Sequence, residues 1–282
     1  MPNNEVEDVM QNPYILVQNI LTSVDDGNTI MNGKTISDEN FISIELYGSS
    51  VHKKKENDNN SSFHLENESG VGDITLYQVL PGIELVYNDM HMEYCNKKQV
   101  TASEVMEINY CKEGRSECLF GENQYCYMAS GDLSFCSLHG NKHQSQFPTS
   151  HYHGVTVVID FSRITDEMKN VLKLLSVNLE RIKEVACMQE FTVIRANQTI
   201  EHIFSELYTV PEHIRQGYIR VKVLELLLVL TEIDPSKNMS RQAHFSGDQI
   251  DAIKQIHAFL LEHFTEHYTI EWLAEKFELS PT

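Results

Sequence analysis

The spacing of apolar residues divides this chain into a region of strands and a region of helices. Between residues 72 and 161, apolar and polar residues alternate in short runs such as 73–79, 83–94 and 154–161. Alternation with a period of two predicts strands, and the Pro81-Gly82 pair between two runs predicts a turn. Seven or eight such strands indicate an antiparallel barrel or jelly roll.

After residue 161 the apolar residues recur every three or four positions, which predicts helices. These helices cover 166–177, 198–208 and 215–233, and a polar stretch at 234–243 predicts a linker. The helix at 215–233 is apolar on two faces, so both faces must be covered. A partner subunit or the chain's own domain can cover the second face. The first stripe is Ile219, Val223, Leu226 and Leu230, and the second is Val221, Leu224, Leu228 and Thr231.

The first seventy residues carry weaker signals. Asn12-Pro13 predicts the start of a helix that continues to residue 24, and the loose alternation at 41–47 predicts a strand. Residues 52–62 contain no apolar residue, which predicts a solvated loop or a disordered segment. We therefore interpret residues 1–70 as an N-terminal extension with such a segment near 52–62.

Residues 251–282 predict a helix, a short turn, a second helix and the start of a third. Thr269 supplies an N-cap hydroxyl for the second helix, and Ser280-Pro281 has the composition of a helix start. This order is that of a helix-turn-helix, and an ordinary pair of helices is the alternative. The first helix has an apolar stripe that predicts one buried face, formed by Ile253, Ile256, Leu260 and Phe264.

Three stretches resemble one protein family. The run T-I-E-W-L-A-E-K-F-E-L-S-P closely resembles the first DNA-binding unit of the AraC/XylS family of bacterial transcription regulators. V-L-P-G-I-E-L-V-Y, M-E-I-N-Y-C-K-E-G-R and S-G-D-L-S-F are together similar to the cupin-like effector domain of that family. The resemblance implies an α+β fold. It places a cupin-like antiparallel β-barrel at 71–162, a helical dimerisation region at 163–234, a linker at 235–248 and an incomplete helix-turn-helix domain at 249–282.

The resemblance also implies a function, that of a ligand-responsive transcription regulator and not of an enzyme. Such a protein senses a small-molecule effector in its barrel, forms a homodimer through its helices and binds DNA. The dimer contacts would come from Val221, Leu224 and Leu228. The DNA contacts within this chain would come from Thr269, Ser280, Pro281 and Thr282.

Most of the DNA-binding surface would lie beyond Thr282, so residues 1–282 alone are not expected to bind DNA specifically. One residue departs from the family pattern, because Glu278 occupies a turn position that often carries glycine. A positive φ at a non-glycine residue costs about 1 kcal/mol.

Charge and composition agree with this interpretation. The net charge of −19 argues against sequence-independent binding of nucleic acid by residues 1–282. The N-terminus lacks the basic and apolar regions of a signal peptide, and the apolar stretch at 223–230 is too short to span a bilayer. The sequence thus predicts a cytoplasmic protein with reduced thiols and no membrane partner.

Candidate chemistry leaves three hypotheses. The ligand pocket would be lined by polar and aromatic residues on barrel strands, and no cofactor, metal site or catalytic group is predicted. Histidines cluster at 139, 143, 151 and 153, but the strand where cupin enzymes hold metal reads Glu107-Ile-Asn-Tyr-Cys111, without histidine. A metal-dependent cupin enzyme and a thiol- or metal-sensing regulator are the alternatives. The candidate ligand-binding residues are Tyr87, His91, Asn109, Tyr110, Arg115 and His139.

Overall fold

The computed structural model describes residues 42–47, 51–57, 60–97, 104–120, 124–138, 144–187, 191–233 and 245–280. The helix predicted at 12–24 and the linker predicted at 234–243 lie outside these ranges. None of the helices within them has the length and apolar character needed to cross a membrane.

Eight antiparallel strands form the first of two sheet layers. From one edge to the other, their order is β1, β2, β3, β4, β10, β6, β8 and β11. They are β1 Val51–Asn57, β2 Asn60–Asn67, β3 Gly70–Leu80, β4 Ile83–His91, β6 Val105–Phe120, β8 Asp132–Ser137, β10 Tyr152–Asp160 and β11 Phe191–Arg195.

The second layer forms around the second half of β6, which pairs with β7 Gln124–Ala129 and β9 Gln144–Gln146. β5 Tyr94–Asn96 and β12 Phe245–Ser246 extend this layer on its two sides. β6 crosses between the layers at Gly114, whose φ is +83° and where a side chain would collide with the carbonyl oxygen of His151. Among the described strands the ladder of hydrogen bonds does not close into a ring.

Seven α-helices lie within the described ranges. Four of them are capped by the side chain of the preceding residue, with hydroxyl or amide oxygens of Thr165, Asn178, Asn197 and Thr269 accepting from backbone amides. The predicted α+β class is confirmed. The helices are α1 Ile42–Tyr47, α2 Asp166–Leu174, α3 Leu179–Cys187, α4 Gln198–Thr209, α5 Arg215–Thr231, α6 Gly247–Glu262 and α7 Ile270–Lys276.

Two hydrophobic cores lie on opposite faces of the first layer, because successive side chains of a strand point to opposite faces. Leu85, Ile108 and Val157 belong to the core that this layer shares with α2–α5. Val86 and Met90 belong to the core between the two layers. The strands from β3 to β11 in this layer therefore each have a helix-facing side and an interior side, whereas β1 and β2 contribute only to the interior core.

Helix α5 buries its first predicted stripe completely, with Ile219, Val223, Leu226 and Leu230 at most 1% exposed. The second stripe is divided. Leu224 packs against the chain's own core, whereas Val221 and Leu228 are 60% and 40% exposed.

Two predictions for the N-terminal part were wrong. Residues 41–47 were predicted as a strand, but Ile42–Tyr47 is helix α1. The carboxylate of buried Glu84 accepts hydrogen bonds from the amides of Ile42 (2.9 Å) and Ser43 (3.0 Å), at the positive end of the helix. This short run is compatible with the strand period of two and with the helix period of 3.6, since residues 42 and 46 share one face of a helix.

The loop predicted near 52–62 is instead largely β1 and the start of β2. Strand β1 lies at the edge of the sheet, and its Lys53 and Lys54 are exposed. Charged side chains are common on edge strands because they discourage pairing with other chains. A polar composition therefore did not exclude a strand here.

Candidate functional site

A cavity of about 50 Å³ lies between the two sheet layers. Helix α1 and strands from both layers supply its walls, each through its interior-facing side chains. The larger apolar side chains around it are Met90, Met128, Phe147, Tyr152 and Phe191, and the rest of the lining is mostly polar or thiol-bearing.

A chain of four hydrogen bonds runs along the first-layer wall of this cavity. Tyr47 Oη donates to Asn88 Oδ1 (3.1 Å), and Asn88 Nδ2 donates to Thr156 Oγ1 (2.9 Å). Thr156 Oγ1 donates to Asn109 Oδ1 (2.8 Å), whose Nδ2 lies 3.4 Å from Ser134 Oγ. Burial raises the pKa of Tyr47 well above its ordinary value, so its hydroxyl remains a donor.

The cavity also contains a buried ion pair. Lys97 Nζ lies 2.6 Å from Glu107 Oε1, and the two side chains are only 11% and 6% exposed. Burial opposes the ammonium charge, but the Glu107 carboxylate outweighs it and holds the pKa of Lys97 above its ordinary value. Among the described residues that line the cavity, Lys97 and Glu107 are the charged ones, so this described lining carries no net charge.

Three of the lining residues are cysteines, Cys95, Cys118 and Cys136, and Cys111 and Cys126 are buried in the same core. Burial raises the pKa of the Cys95 thiol to about 11 and that of Cys111, Cys118 and Cys126 to about 12. It raises the pKa of Cys136 as well. Thiols that stay protonated at neutral pH are poor nucleophiles and poor metal ligands.

We expect these five thiols to react with a disulfide reagent only after unfolding. We also expect stability to fall at high pH. Since the folded pKa values are raised, the unfolded chain ionises its thiols near pH 9 while the folded chain keeps them protonated to about 11 or 12. The free energy of unfolding is therefore greatest below pH 9 and decreases between pH 9 and 12.

Thiol titration with and without urea, and urea unfolding at a series of pH values, test this expectation. Replacing Cys118 by serine serves as the control, because it should reduce the decrease above pH 9. The sixth cysteine of the chain, Cys187, is not one of these five, so rapid labelling of more than one thiol of the folded protein at pH 7 would contradict the buried, protonated state.

The predicted ligand-binding residues are not gathered at this cavity. Asn109 lines it. Tyr87 and Tyr110 lie on the helix-facing side instead: Tyr87 Oη donates to the carbonyl of Leu207 (2.8 Å), and Tyr110 stacks on Phe204 at 4.2 Å between ring centroids.

The other candidates lie elsewhere too. His91 and Arg115 are exposed on the surface, and His139 lies outside the described residues. A ligand inside the cavity would therefore not contact Tyr87, Tyr110, His91 or Arg115. The sequence indicated the strands but not which of their two faces is the interior.

Sequence reasoning missed Lys97, Glu107, Asn88 and Thr156. A signal did exist for two of them. Asn88 and Thr156 lie at the same parity as the apolar residues Val86 and Val158 of their strands, which face the interior. A buried polar residue among apolar neighbours requires a hydrogen-bonding partner, and so points to a network.

Histidines from neighbouring strands meet on the outer surface, away from the cavity. The ring centroids of His91 and His151 are 5.2 Å apart, and those of His151 and His153 are 6.3 Å apart. His91 Nε2 lies 3.0 Å from Asp89 Oδ1. No three His, Cys, Asp or Glu residues of the described ranges are arranged to hold a metal ion, and His139 and His143 lie outside those ranges.

The C-terminal segment has the local geometry of the predicted helix-turn-helix. Thr269 Oγ1 caps α7 by accepting from the amide of Trp272 (3.2 Å), and Ala274 is 6% exposed. Glu278 has a φ of 55°, and the amide of Leu279 donates to the carbonyl of Ala274 (2.8 Å). The positive φ expected at this turn is confirmed. Ser280 is exposed, and Pro281 and Thr282 lie outside the described residues.

The apolar stripe predicted on the first of these helices is not buried. Ile253, Leu260 and Phe264 are 55%, 37% and 82% exposed, and Ile256 is half-buried. Helix α6 meets the segment around α7 through Phe259 instead. The Phe259 ring lies between 5.0 and 5.8 Å from the rings of Tyr268, Trp272 and Phe277, measured between centroids.

Helix α6 makes a polar contact with the second sheet layer through Lys254. Lys254 Nζ lies 3.0 Å from Glu117 Oε2 and 3.1 Å from Gln146 Oε1. The Glu117 side chain is only 6% exposed, and its neighbours in β6, Ser116 and Cys118, line the cavity. A single strand therefore separates the cavity from the helix.

Comparison with known proteins finds no matching family model and no matching curated protein sequence. Solved structures of AraC-like regulators are similar to this chain. The AraC-like transcriptional activator CuxR has a TM-score of 0.39 and 10% identity, over 75% of this chain and 71% of that one.

ToxT from Vibrio cholerae, bound to an unsaturated fatty acid, gives a TM-score of 0.39 and 10% identity, over 72% of this chain and 71% of that one. A cupin 2 conserved barrel domain protein from Leptotrichia buccalis gives 0.29 and 11% identity, over 35% of this chain and 45% of that one.

Proposed function

We propose that this chain is a ligand-responsive transcription regulator of the AraC type. In this proposal a small molecule binds in the cavity between the two sheet layers, and the helix-turn-helix that contains α6 and α7 binds DNA. The observation that carries the proposal is the turn after α7. The N-cap at Thr269, the burial of Ala274 and the positive φ of Glu278 together support the motif found in the sequence.

The contacts of α6 support a route from ligand to DNA. Glu117 is buried in the sheet and faces Lys254 on α6, whereas Ser116 and Cys118 on either side of it line the cavity. A ligand that shifts β6 would therefore alter the position of Glu117. Because a buried carboxylate needs its partner, such a shift would change how firmly α6 is held against the sheet.

The exposed side chains of α5 support a homodimer. Val221 and Leu228 lie seven positions apart on one helix face, which is the spacing at which two helices pack along a common seam. Two copies of the same face form a self-complementary interface around a twofold axis. A regulator that binds paired half-sites on DNA would use such a dimer.

Recovery of genomic DNA fragments by the full-length gene product tests the proposal. At physiological salt, we expect enrichment of a promoter fragment over bulk DNA. Ala274→Leu should abolish the enrichment, because a larger side chain does not fit at this buried position. Glu275→Ala, one residue along and exposed, should preserve it.

Two results would decide against the proposal. One is the absence of any fragment enriched above non-specific binding. The other is enrichment that Ala274→Leu leaves unchanged while circular dichroism shows that the variant is folded.

A further inference from the structure

We propose that the cavity selects a small uncharged ligand that carries a hydrogen-bond donor and an acceptor side by side, as a carboxamide does. A carboxylate or an ammonium compound would be rejected. This inference rests on the proposed function, since it assigns a ligand class to the same cavity. It is carried by the charges, hydrogen bonds and volume of the described lining.

The charge of the lining excludes ions as preferred ligands. Lys97 is already neutralised by Glu107 at 2.6 Å, and both side chains are nearly buried. A carboxylate ligand would either displace Glu107 from Lys97 or lie beside it on the same ammonium, so in both cases one buried carboxylate would lack a compensating charge. A cationic ligand that bound Glu107 would likewise leave a buried ammonium, that of Lys97 or its own, without a compensating charge. Burying an unpaired charge is costly, whereas a neutral ligand leaves the pair intact.

The hydrogen-bonding groups of the lining favour a ligand with both a donor and an acceptor. The Lys97 ammonium has three N–H groups, of which Glu107 Oε1 takes one, and Glu107 has a second carboxylate oxygen. The pair thus offers donors and an acceptor within a short distance of each other. The carbonyl of a carboxamide can accept from Lys97 while its amino group donates to Glu107.

The volume limits the ligand to a few heavy atoms. The cavity measures about 50 Å³. For comparison, an engineered apolar cavity of about 150 Å³ admits benzene. A long acyl chain or a nucleotide does not fit in the space between these two layers without a change of the fold.

Acetamide, acetate and acetamidinium test the proposal, because they share one planar shape and differ in charge. Methyl resonances of methionine locate the binding. Met90 and Met128 line the cavity, whereas Met106 lies in the other core and Met168 packs against it on α2. We expect acetamide to shift the Met90 and Met128 resonances saturably, with weak affinity, at concentrations up to about 100 mM.

Acetate and acetamidinium should leave the two resonances in place over the same range. Met106 and Met168 should not respond to any of the three compounds. These four resonances make the test independent of DNA binding.

A charge-removing variant reverses the expected preference. In Glu107→Gln the ammonium of Lys97 loses its partner, so acetate should bind at least about tenfold more tightly than acetamide. Glu113→Gln, on the same strand but 53% exposed, is the matched control and should keep the wild-type preference. If Glu107→Gln does not fold by circular dichroism, the three compounds with the wild-type protein decide the question alone.

Either of two results overturns the inference. In the first, acetate or acetamidinium moves the Met90 and Met128 resonances of the wild type at lower concentration than acetamide, or at the same concentration. In the second, none of the three compounds moves them. Promoter enrichment is measured in a separate experiment. A transcription regulator with a charged ligand would enrich a promoter without the expected acetamide shifts, whereas a carboxamide-binding protein that does not bind DNA would show the shifts without enrichment.

Discussion

Replacing Lys97 with methionine should lower the free energy of unfolding by about 3–5 kcal/mol. The variant keeps most of the side-chain volume but removes the charge that neutralises Glu107. Because Glu107 is only 6% exposed and lies against the cavity, water cannot replace the lost partner fully. Urea unfolding followed by circular dichroism measures the change.

Two control variants separate the loss of the ion pair from the loss of a lysine. Lys169→Met removes an ion pair to Asp166 in which the side chains are 55% and 90% exposed, so it should cost less than about 1 kcal/mol. The double variant Lys97→Met with Glu107→Leu should recover most of the lost stability, since no unpaired charge remains. A single Lys97→Met variant as stable as the wild type would show that the cavity is open to water.

Leu228→Glu should convert a dimer into folded monomers and weaken association by about 1000-fold, since each change is present twice in a symmetric interface. Leu228 is 40% exposed in the single chain, so a glutamate there is tolerated in the monomer. Placed at a dimer seam, two glutamates would face each other without partners. Light scattering measures the mass, and circular dichroism measures the fold.

Three comparisons sharpen this experiment. Val221→Glu should behave like Leu228→Glu, because Val221 is 60% exposed on the same face. Leu224→Glu should instead destabilise the chain, since Leu224 packs against its own core. Leu261→Glu, on exposed α6, should change neither mass nor fold. A wild-type protein that is monomeric at tens of micromolar would rule out this interface.

Local signals in the sequence predicted several features correctly. The change from a period of two to a period of 3.6 near residue 161 coincides with the end of β10 and the helices that follow. The prediction of helices alone in this region was wrong for Phe191–Arg195 and Phe245–Ser246, which are the strands β11 and β12. The first stripe of α5 and the cap at Thr269 depend on residues a few positions apart. The positive φ of Glu278 likewise follows from the turn itself.

Features that depend on distant residues were not predictable in this way. Helix α1 starts where it does because Glu84, more than forty positions away, accepts its first amides. Whether Tyr87 or Asn88 faces the cavity depends on which side of the sheet the helices cover. That choice is made by α2–α5, long after the strand in the sequence.

The candidate site illustrates the same difference. Asn109 was predicted because polar residues on barrel strands were chosen as a class, and that class contained Tyr110 on the opposite face as well. Lys97 follows β5 and meets Glu107 of β6 across a stretch whose course the sequence does not reveal. The buried pair therefore emerges only from the fold.

Only strand β6, at Glu117, separates the cavity from helix α6, and this has a thermodynamic consequence. If a molecule between the layers and the docking of α6 both depend on the position of one strand, the two equilibria are linked. If a bound ligand lowers the equilibrium constant for docking of α6 by some factor, then release of α6 must lower the ligand's binding constant by the same factor. An operator that draws α6 away from the sheet would then lower the affinity for the effector, so the promoter itself would help to set the effector concentration at which the protein responds.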